Sequence, residues 1–360
     1  MDDSTGTTRG PGHHNYLYHS KQKRRALRRL AMQFSDSCLD VAFSLDCLND
    51  LQLFLLYENF ILHLLVDGDQ SYHSWRKLGD VVSSLFALGY HEQLGDVRKA
   101  PPFLRELCFN CSIFLGRPPR MLKRYCATAH TQETWGVVEH FTYRVDTRVH
   151  GICASLQDEI LDLAKQDQIT KTQNLGCDAT DYAWKRYTNV CSDIRATAEV
   201  EWAALPAAFR LDKSLSSCDE RPVELDFLVS TKLIFAHIIF LLELNMTPRI
   251  SHPGAELLRL SADMLCVIIE AIVLRQRLAN SGMSLVWKVA YYGLAAAGVL
   301  CLALLYNTFD LANSDATPAK AIRDLGVLVA EIEAGAFVQP EDPNFALLSG
   351  AAHTIKNLLD

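Results

Sequence analysis

From Lys21 onward, apolar side chains recur at steps of three, four and seven residues, the spacing that puts them on one face of an α-helix. Leu45, Leu48, Leu51, Leu55 and Leu62 form such a series, in a run that ends near Val66 and is stopped by Asp67-Gly68-Asp69. Trp75, Leu78, Val82, Leu85 and Leu88 form the next. Gly89 closes that helix, because glycine adopts positive φ without steric cost. Pro222 marks a further start, followed by Leu225, Leu228, Phe235, Ile238 and Leu242. Over 255–279, Leu258, Leu265, Ile268 and Ile272 make an apolar stripe, with Glu256, Arg259, Asp263, Glu270 and Arg277 on the other face. Breaks are predicted at 167–180, 211–221, 245–253, 310–318 and 335–343, all rich in Asn, Asp, Ser, Gly or Pro. A period of two is confined to one weak strand candidate at 137–145. The pattern predicts an all-α chain, a single large helical domain of roughly ten helices with no fixed repeat. Residues 1–20 lack an apolar period and read as a disordered tail, 21–35 as a basic segment, and 36–360 as the helical domain.

The stretch from Ser284 to Tyr306 is apolar nearly all round, and the eighteen residues from Val289 to Tyr306 carry no charge. That length approaches the ~20 residues of a membrane-spanning helix. A fully buried core helix has the same composition. The chain is long enough to bury one, and no basic cluster flanks the stretch to set an orientation, so the buried helix is expected and no membrane partner.

Of the 360 residues, 49% are apolar and 21% charged, which excludes collagen-like, low-complexity and wholly disordered chains. The net charge of −7 is uneven: residues 1–30 hold seven Lys and Arg against two Asp, a net of +5, and the remainder carries −12. An acidic body does not bind nucleic acid broadly, so phosphate contact falls to the N-terminal arm. There Lys21, Lys23, Arg24, Arg25, Arg28 and Arg29 suit either phosphate contact or nuclear import, and equally a solvated first helix. Eleven cysteines lie scattered from Cys38 to Cys301, and the polar start Met1-Asp2-Asp3-Ser4-Thr5 has no leader-like apolar run. Reduced thiols in the cytosol or nucleus are expected.

Nucleotide-binding, serine-hydrolase and paired-histidine metal motifs are absent from the sequence. Cys108 and Cys111 form a single C-x-x-C, half of a zinc site, and read as small buried thiols. Asp158-Glu159-Ile160-Leu161-Asp162 has the D-E-x-x-D form that all-α prenyl-diphosphate enzymes use for magnesium, with Asp158 and Asp162 one turn apart. Leu156 and Leu163 place the apolar stripe opposite, which turns the acids to solvent, and no second metal motif follows. A metal-dependent prenyl-diphosphate enzyme centred on Asp158 and Asp162 is the alternative function, and a membrane-anchored protein held by 289–306 another. No catalytic residue, cofactor or metal is otherwise expected.

Residues 44–120 contain an ordered set of short motifs. Ser44-Leu45 and Leu51–Leu56 are leucine-rich; Trp75–Val82 leads to Leu88-Gly89-Tyr90-His91; Pro102-Phe103-Leu104-Arg105-Glu106 follows; Leu115-Gly116-Arg117-Pro118-Pro119 closes the set. In this order they resemble the fungal-specific transcription factor domain, the middle homology region of binuclear zinc-cluster regulators, of the xylanolytic-activator type. More diffusely, Trp202–Pro206 and Tyr291–Leu305 are similar to its later helices, and the resemblance is strongest over 44–125. It implies a nuclear regulatory and interaction domain, controlling transcription through co-regulators, an intramolecular activation region or a small-molecule inducer. Trp75, Gly89, His91, Glu106, Gly116, Arg117, Pro118 and Pro119 are its structural motif positions, with no catalytic role. The family's six-cysteine zinc module, which contacts DNA, does not occur in these residues, so zinc and DNA binding are implied only for a protein that includes it. The Glu106–Gly116 interval is also about ten residues shorter than the family's, roughly three helical turns.

Overall fold

The computed structural model describes residues 21–44, 49–67, 72–89, 177–247, 250–278, 283–309, 317–342 and 344–360, with Cys153, 156–157 and 159–162. Among these residues there are ten α-helices and no strand, so the chain is all-α. Its contacts divide into two compact units, residues 1–81 and 82–360. The strand candidate at 137–145 and the tail 1–20 lie outside the described residues, as do Leu45 and Leu48.

In the first unit, α1 (Lys21–Phe43) packs along α2 (Asp50–Asp67), and α3 (Tyr72–Ala87) begins there. α1 runs unbroken across position 35, so the basic segment forms the opening turns of a helix. α2 starts with a reciprocal cap: Gln52 N donates to Asn49 Oδ1 and Asn49 N to Gln52 Oε1, both at 3.0 Å. The buried face of α2 differs from the one its leucines predict. Leu51 is 65% exposed, whereas Gln52, Leu56, Asn59, Phe60 and His63 are buried. Because α2 is apolar nearly all round, leucine spacing alone selects no face, and hydrogen bonding to α1 does. α3 follows its predicted stripe, with Leu78, Val82 and Leu85 buried, but Trp75 is only partly buried, its ring stacked on Tyr72 at 6.4 Å. Gly89 N bonds to Phe86 O at 3.0 Å with Gly89 at φ 73°, the left-handed end its position predicts.

The second unit is built around α5 (Pro222–Met246) and α6 (Ala255–Val273), which pack together. α4 (Cys177–Ala203) lies on α5, where Trp202 stacks on Phe235 at 4.2 Å. α7 (Met283–Lys288) passes through a single π-helical turn (Val289–Gly293) into α8 (Leu294–Tyr306), which crosses α6. At Gly293 a Cβ would meet Ile268 Cγ2 at 3.3 Å, so glycine allows the close approach of these helices. α9 (Pro318–Glu333) packs on α6, and α10 (Phe345–Leu359) on α9 and α8. Starts and stops follow local chemistry. Pro222 and Pro318 sit at first-turn positions, Arg221 N donates to Glu224 at 2.9 Å, and Thr317 accepts from Lys320 N at 3.2 Å. Asn307, at φ 51°, ends α8.

Every residue of the predicted α5 and α6 stripes (Leu225, Leu228, Phe235, Ile238, Leu242, Leu258, Leu265, Ile268 and Ile272) is buried. α6 stops at Val273, short of 279, and a 3-10 turn Arg275–Arg277 follows. α4 begins at Cys177, inside the predicted break at 167–180. Among the described residues two helices are long and apolar enough to cross a membrane: Glu224–Met246, which the sequence patterning did not single out as such, and Ser284–Tyr306. Both are mostly packed inside this unit, with 72% and 56% of their most apolar windows buried.

Candidate functional site

Three constellations stand out, two polar and one apolar. In the first unit, Asp36 of α1 is a hub. Its Oδ1 accepts from Asn59 Nδ2 at 2.7 Å and from Lys77 Nζ at 3.3 Å, and lies 3.1 Å from His63 Nε2. Asn59 Nδ2 also reaches Ser35 Oγ at 3.2 Å, and Gln52 Nε2 donates to Ala42 O at 2.8 Å. Gln52, Asn59 and His63 are spaced seven and four apart, so they form one polar seam on α2 facing α1. Partial burial pushes the Asp36 carboxyl up, but the Asn59 and His63 hydrogen bonds and the Lys77 charge outweigh it and hold it below its ordinary value. The seam joins α1 to α2 through side-chain hydrogen bonds rather than apolar contacts alone.

In the second unit, Arg195 of α4 bonds to Glu199 at 2.8 Å, to Glu256 at 2.5 Å and to Glu243. Arg259 bonds to Glu256 at 2.6 Å and Asp263 at 2.8 Å. Farther along α6, Glu270 accepts from Ser214 Oγ and Leu215 N, both at 2.7 Å. Arg277 donates to the carbonyls of Leu215 and Cys218, which pins the 3-10 turn Leu215–Ser217. The charged face of α6 is therefore a docking face for α4, α5 and the 211–221 connection, and structural in role.

The third constellation is an open groove of about 620 Å³. Phe240 and Leu244 come from α5, Leu294, Ala295, Gly298 and Leu305 from α8, and Thr354, Ile355 and Leu358 from α10; Ile250 stands at one edge. Among the described residues of the lining, Thr354 is the sole one with a hydroxyl and none carries a charged side chain. Cys301 also lines it, and burial pushes its thiol up to about 11, so that the wall is uncharged at neutral pH. Behind Phe240 lies a packed aromatic column. His237 stacks on Phe240 at 5.9 Å and contacts Tyr291 and Tyr292 at 4.8 and 5.2 Å; Trp287 stacks on Tyr291 at 5.1 Å. Burial pushes His237 down to about 3, a neutral imidazole. The wider π turn lets the adjacent Tyr291 and Tyr292 both point inward, one reason such turns cluster near functional surfaces.

Of the residues singled out by sequence, Trp75 and Gly89 lie at the two ends of α3, as described above. His91, Glu106, Gly116, Arg117, Pro118 and Pro119 lie outside the described residues, as do Cys108, Cys111 and Asp158. Asp162 is helical and exposed, and Leu156 and Ile160 are buried. Lys21, Lys23, Arg24, Arg25, Arg28 and Arg29 occupy the first turns of α1, where Lys23 and Arg29 are exposed. Among the described residues no three His, Cys, Asp or Glu side chains are grouped to hold a metal ion, and Cys38, Cys153, Cys191, Cys218, Cys266 and Cys301 are free thiols. The groove was invisible to periodicity, since α5 and α8 are apolar on every side.

No family model matches the chain, and no curated protein sequence and no solved structure matches it either.

Proposed function

We propose that this chain is a regulatory and interaction domain acting in transcription, of the kind found in fungal zinc-cluster regulators, and that it works by binding rather than by bond-making chemistry. The observation that carries this reading is the groove between α5, α8 and α10, a surface suited to holding an inducer, with no charged side chain and no nucleophile–base pair among the described residues of its lining. The ordered motifs from Ser44 to Pro119 support it. In this reading the protein is nuclear, its partners are co-regulators or an activation region, and DNA contact belongs to a zinc-cluster module that these 360 residues do not contain.

Tethering the full chain to a heterologous DNA-binding module upstream of a reporter tests it. Reporter output several-fold above or below the module alone is expected; output equal to the module alone overturns the reading. In gel shifts, the purified chain is expected to bind DNA without sequence preference and only through the six cations of α1. Releasing six phosphate contacts gives a log–log salt slope of about −5. A sequence-selective shift that survives neutralising Lys21, Lys23, Arg24, Arg25, Arg28 and Arg29 would exclude it.

A further inference from the structure

We propose that the outer face of α1 binds the same face of a second copy of this chain, with the two helices running antiparallel. This pairing does not depend on the regulatory reading.

α1 has two apolar sides. One, where Leu39 is buried, lies against α2. On the side turned away from it, Leu27, Leu30, Phe34 and Val41 are 55%, 62%, 71% and 68% exposed. Their steps of three, four and seven residues are the spacing of a helix that packs lengthwise along another helix. Ser37 fills the remaining position of the series. Its hydroxyl donates to Gln33 O at 3.1 Å, so it enters an apolar contact with its hydrogen already satisfied. Apolar residues exposed singly are ordinary, but an aligned row over about four turns marks an interaction surface.

Charge selects the occupant. Residues 21–29 hold six Lys and Arg and no acid, whereas 30–75 hold seven Asp and Glu and neither Lys nor Arg. Two copies of α1 lying in the same direction would set six cations against six. Lying in opposite directions, the cationic turns of each run along the acidic turns of the other. One antiparallel register sets Leu30 against Phe34 and Leu27 against Ser37, and it brings Lys23 level with Asp40 and Val41. Two-fold symmetry makes each of these contacts twice. Lys23 and Asp40 are both exposed at the two ends of the apolar row.

An anionic bilayer is the other surface that a basic amphipathic helix meets. Here no cation follows Arg29 within α1, and Asp40 stands beside Val41, so anionic lipid would repel the second half of the row. A reversed copy of α1 accepts both halves. A contact along one helix of 23 residues, about 35 Å, is small for a protein interface, so the dimer should form over roughly 1–100 µM.

Sedimentation of the purified full chain across that range tests the pairing, and a concentration-dependent shift from monomer to dimer is expected. Phe34→Glu should weaken the dimer at least tenfold while helical circular dichroism holds, because the position is exposed and glutamate is a good helix former. Lys23→Glu alone and Asp40→Lys alone should each weaken it several-fold, by replacing two attractions with two repulsions. The double variant, Lys23→Glu with Asp40→Lys, should restore the parent's affinity, which only the antiparallel arrangement allows. A monomer at every concentration would overturn the proposal, as would a dimer indifferent to Phe34→Glu. A double variant no tighter than the single ones would overturn the antiparallel register. Flotation of a monomeric chain with phosphatidylserine vesicles, abolished by Phe34→Glu, would reassign the face to a bilayer.

Discussion

Lys288 Nζ lies 3.0 Å from Asp226 Oδ1, an ion pair joining the two long apolar helical stretches 224–246 and 284–306. The ammonium is 3% exposed and also donates to Ser284 Oγ at 2.9 Å. The pair sits at the start of α5 and the end of α7, just before the π turn, so it sets how α5 meets the α7–α8 segment. An apolar contact there would permit sliding; a charge pair fixes one register, because a shifted arrangement buries an unpaired charge.

Asp226→Ala should accordingly be among the most damaging single changes. It leaves a buried ammonium with only a hydroxyl partner, a loss of about 3–5 kcal/mol for breaking a buried pair. Replacing both partners together, Asp226→Leu with Lys288→Met, should recover most of that loss. Urea midpoints of the two variants check it; equal destabilisation by single and double replacement would show that the pair has no structural role.

Acid sensitivity should trace to Glu256. The Arg259 hydrogen bond, then that of Arg195, outweigh partial burial and hold its carboxyl down to about 2, against an ordinary 4.5. A carboxyl depressed by folding contributes its full stability above the ordinary value, and that contribution is lost as pH falls from 4.5 towards 2. Glu256→Gln should lower stability at neutral pH by about 1–2 kcal/mol after allowing for solvent screening. The melting temperatures of variant and parent should converge as the solution is acidified. Parallel curves over that range would assign the acid limb to other groups.

Asn59→Asp should convert the Asp36 hub into a pH-dependent joint. It sets a second carboxylate where an amide now donates to Asp36 at 2.7 Å. Like charges at that separation repel, so α1 should loosen from α2 at neutral pH and reattach in mild acid, once one carboxyl is protonated and donates to the other. Amide exchange on α1, measured at both pH values, reads this directly. Protection equal to the parent at neutral pH would show that α1 is held elsewhere.

Much of this was legible from residue order. Leu258, Leu265, Ile268 and Ile272 fall on the buried face of α6 because Glu256, Arg259 and Asp263 oppose them and the period has a contrast to register. Gly89 ends α3 because positive φ requires a residue without Cβ, a local demand. In α2 the polar positions Gln52, Asn59 and His63 carried the true periodicity, and it was masked by leucines on every side. The charged face of α6 was legible as a face, but not that Glu256 and Glu270 hold neighbouring segments; nothing local announces that a distant Arg195 or Ser214 will arrive there.

The sequence by itself determined that the chain is helical, where most helices start and stop, and which faces of the contrasted helices turn inward. Those properties depend on interactions within one or two turns, so residue order suffices. Tertiary structure decided that α2 buries its polar seam of Gln52, Asn59 and His63, placed Lys288 against Asp226, and opened a groove between α5, α8 and α10. These depend on side chains far apart in sequence that only folding brings together.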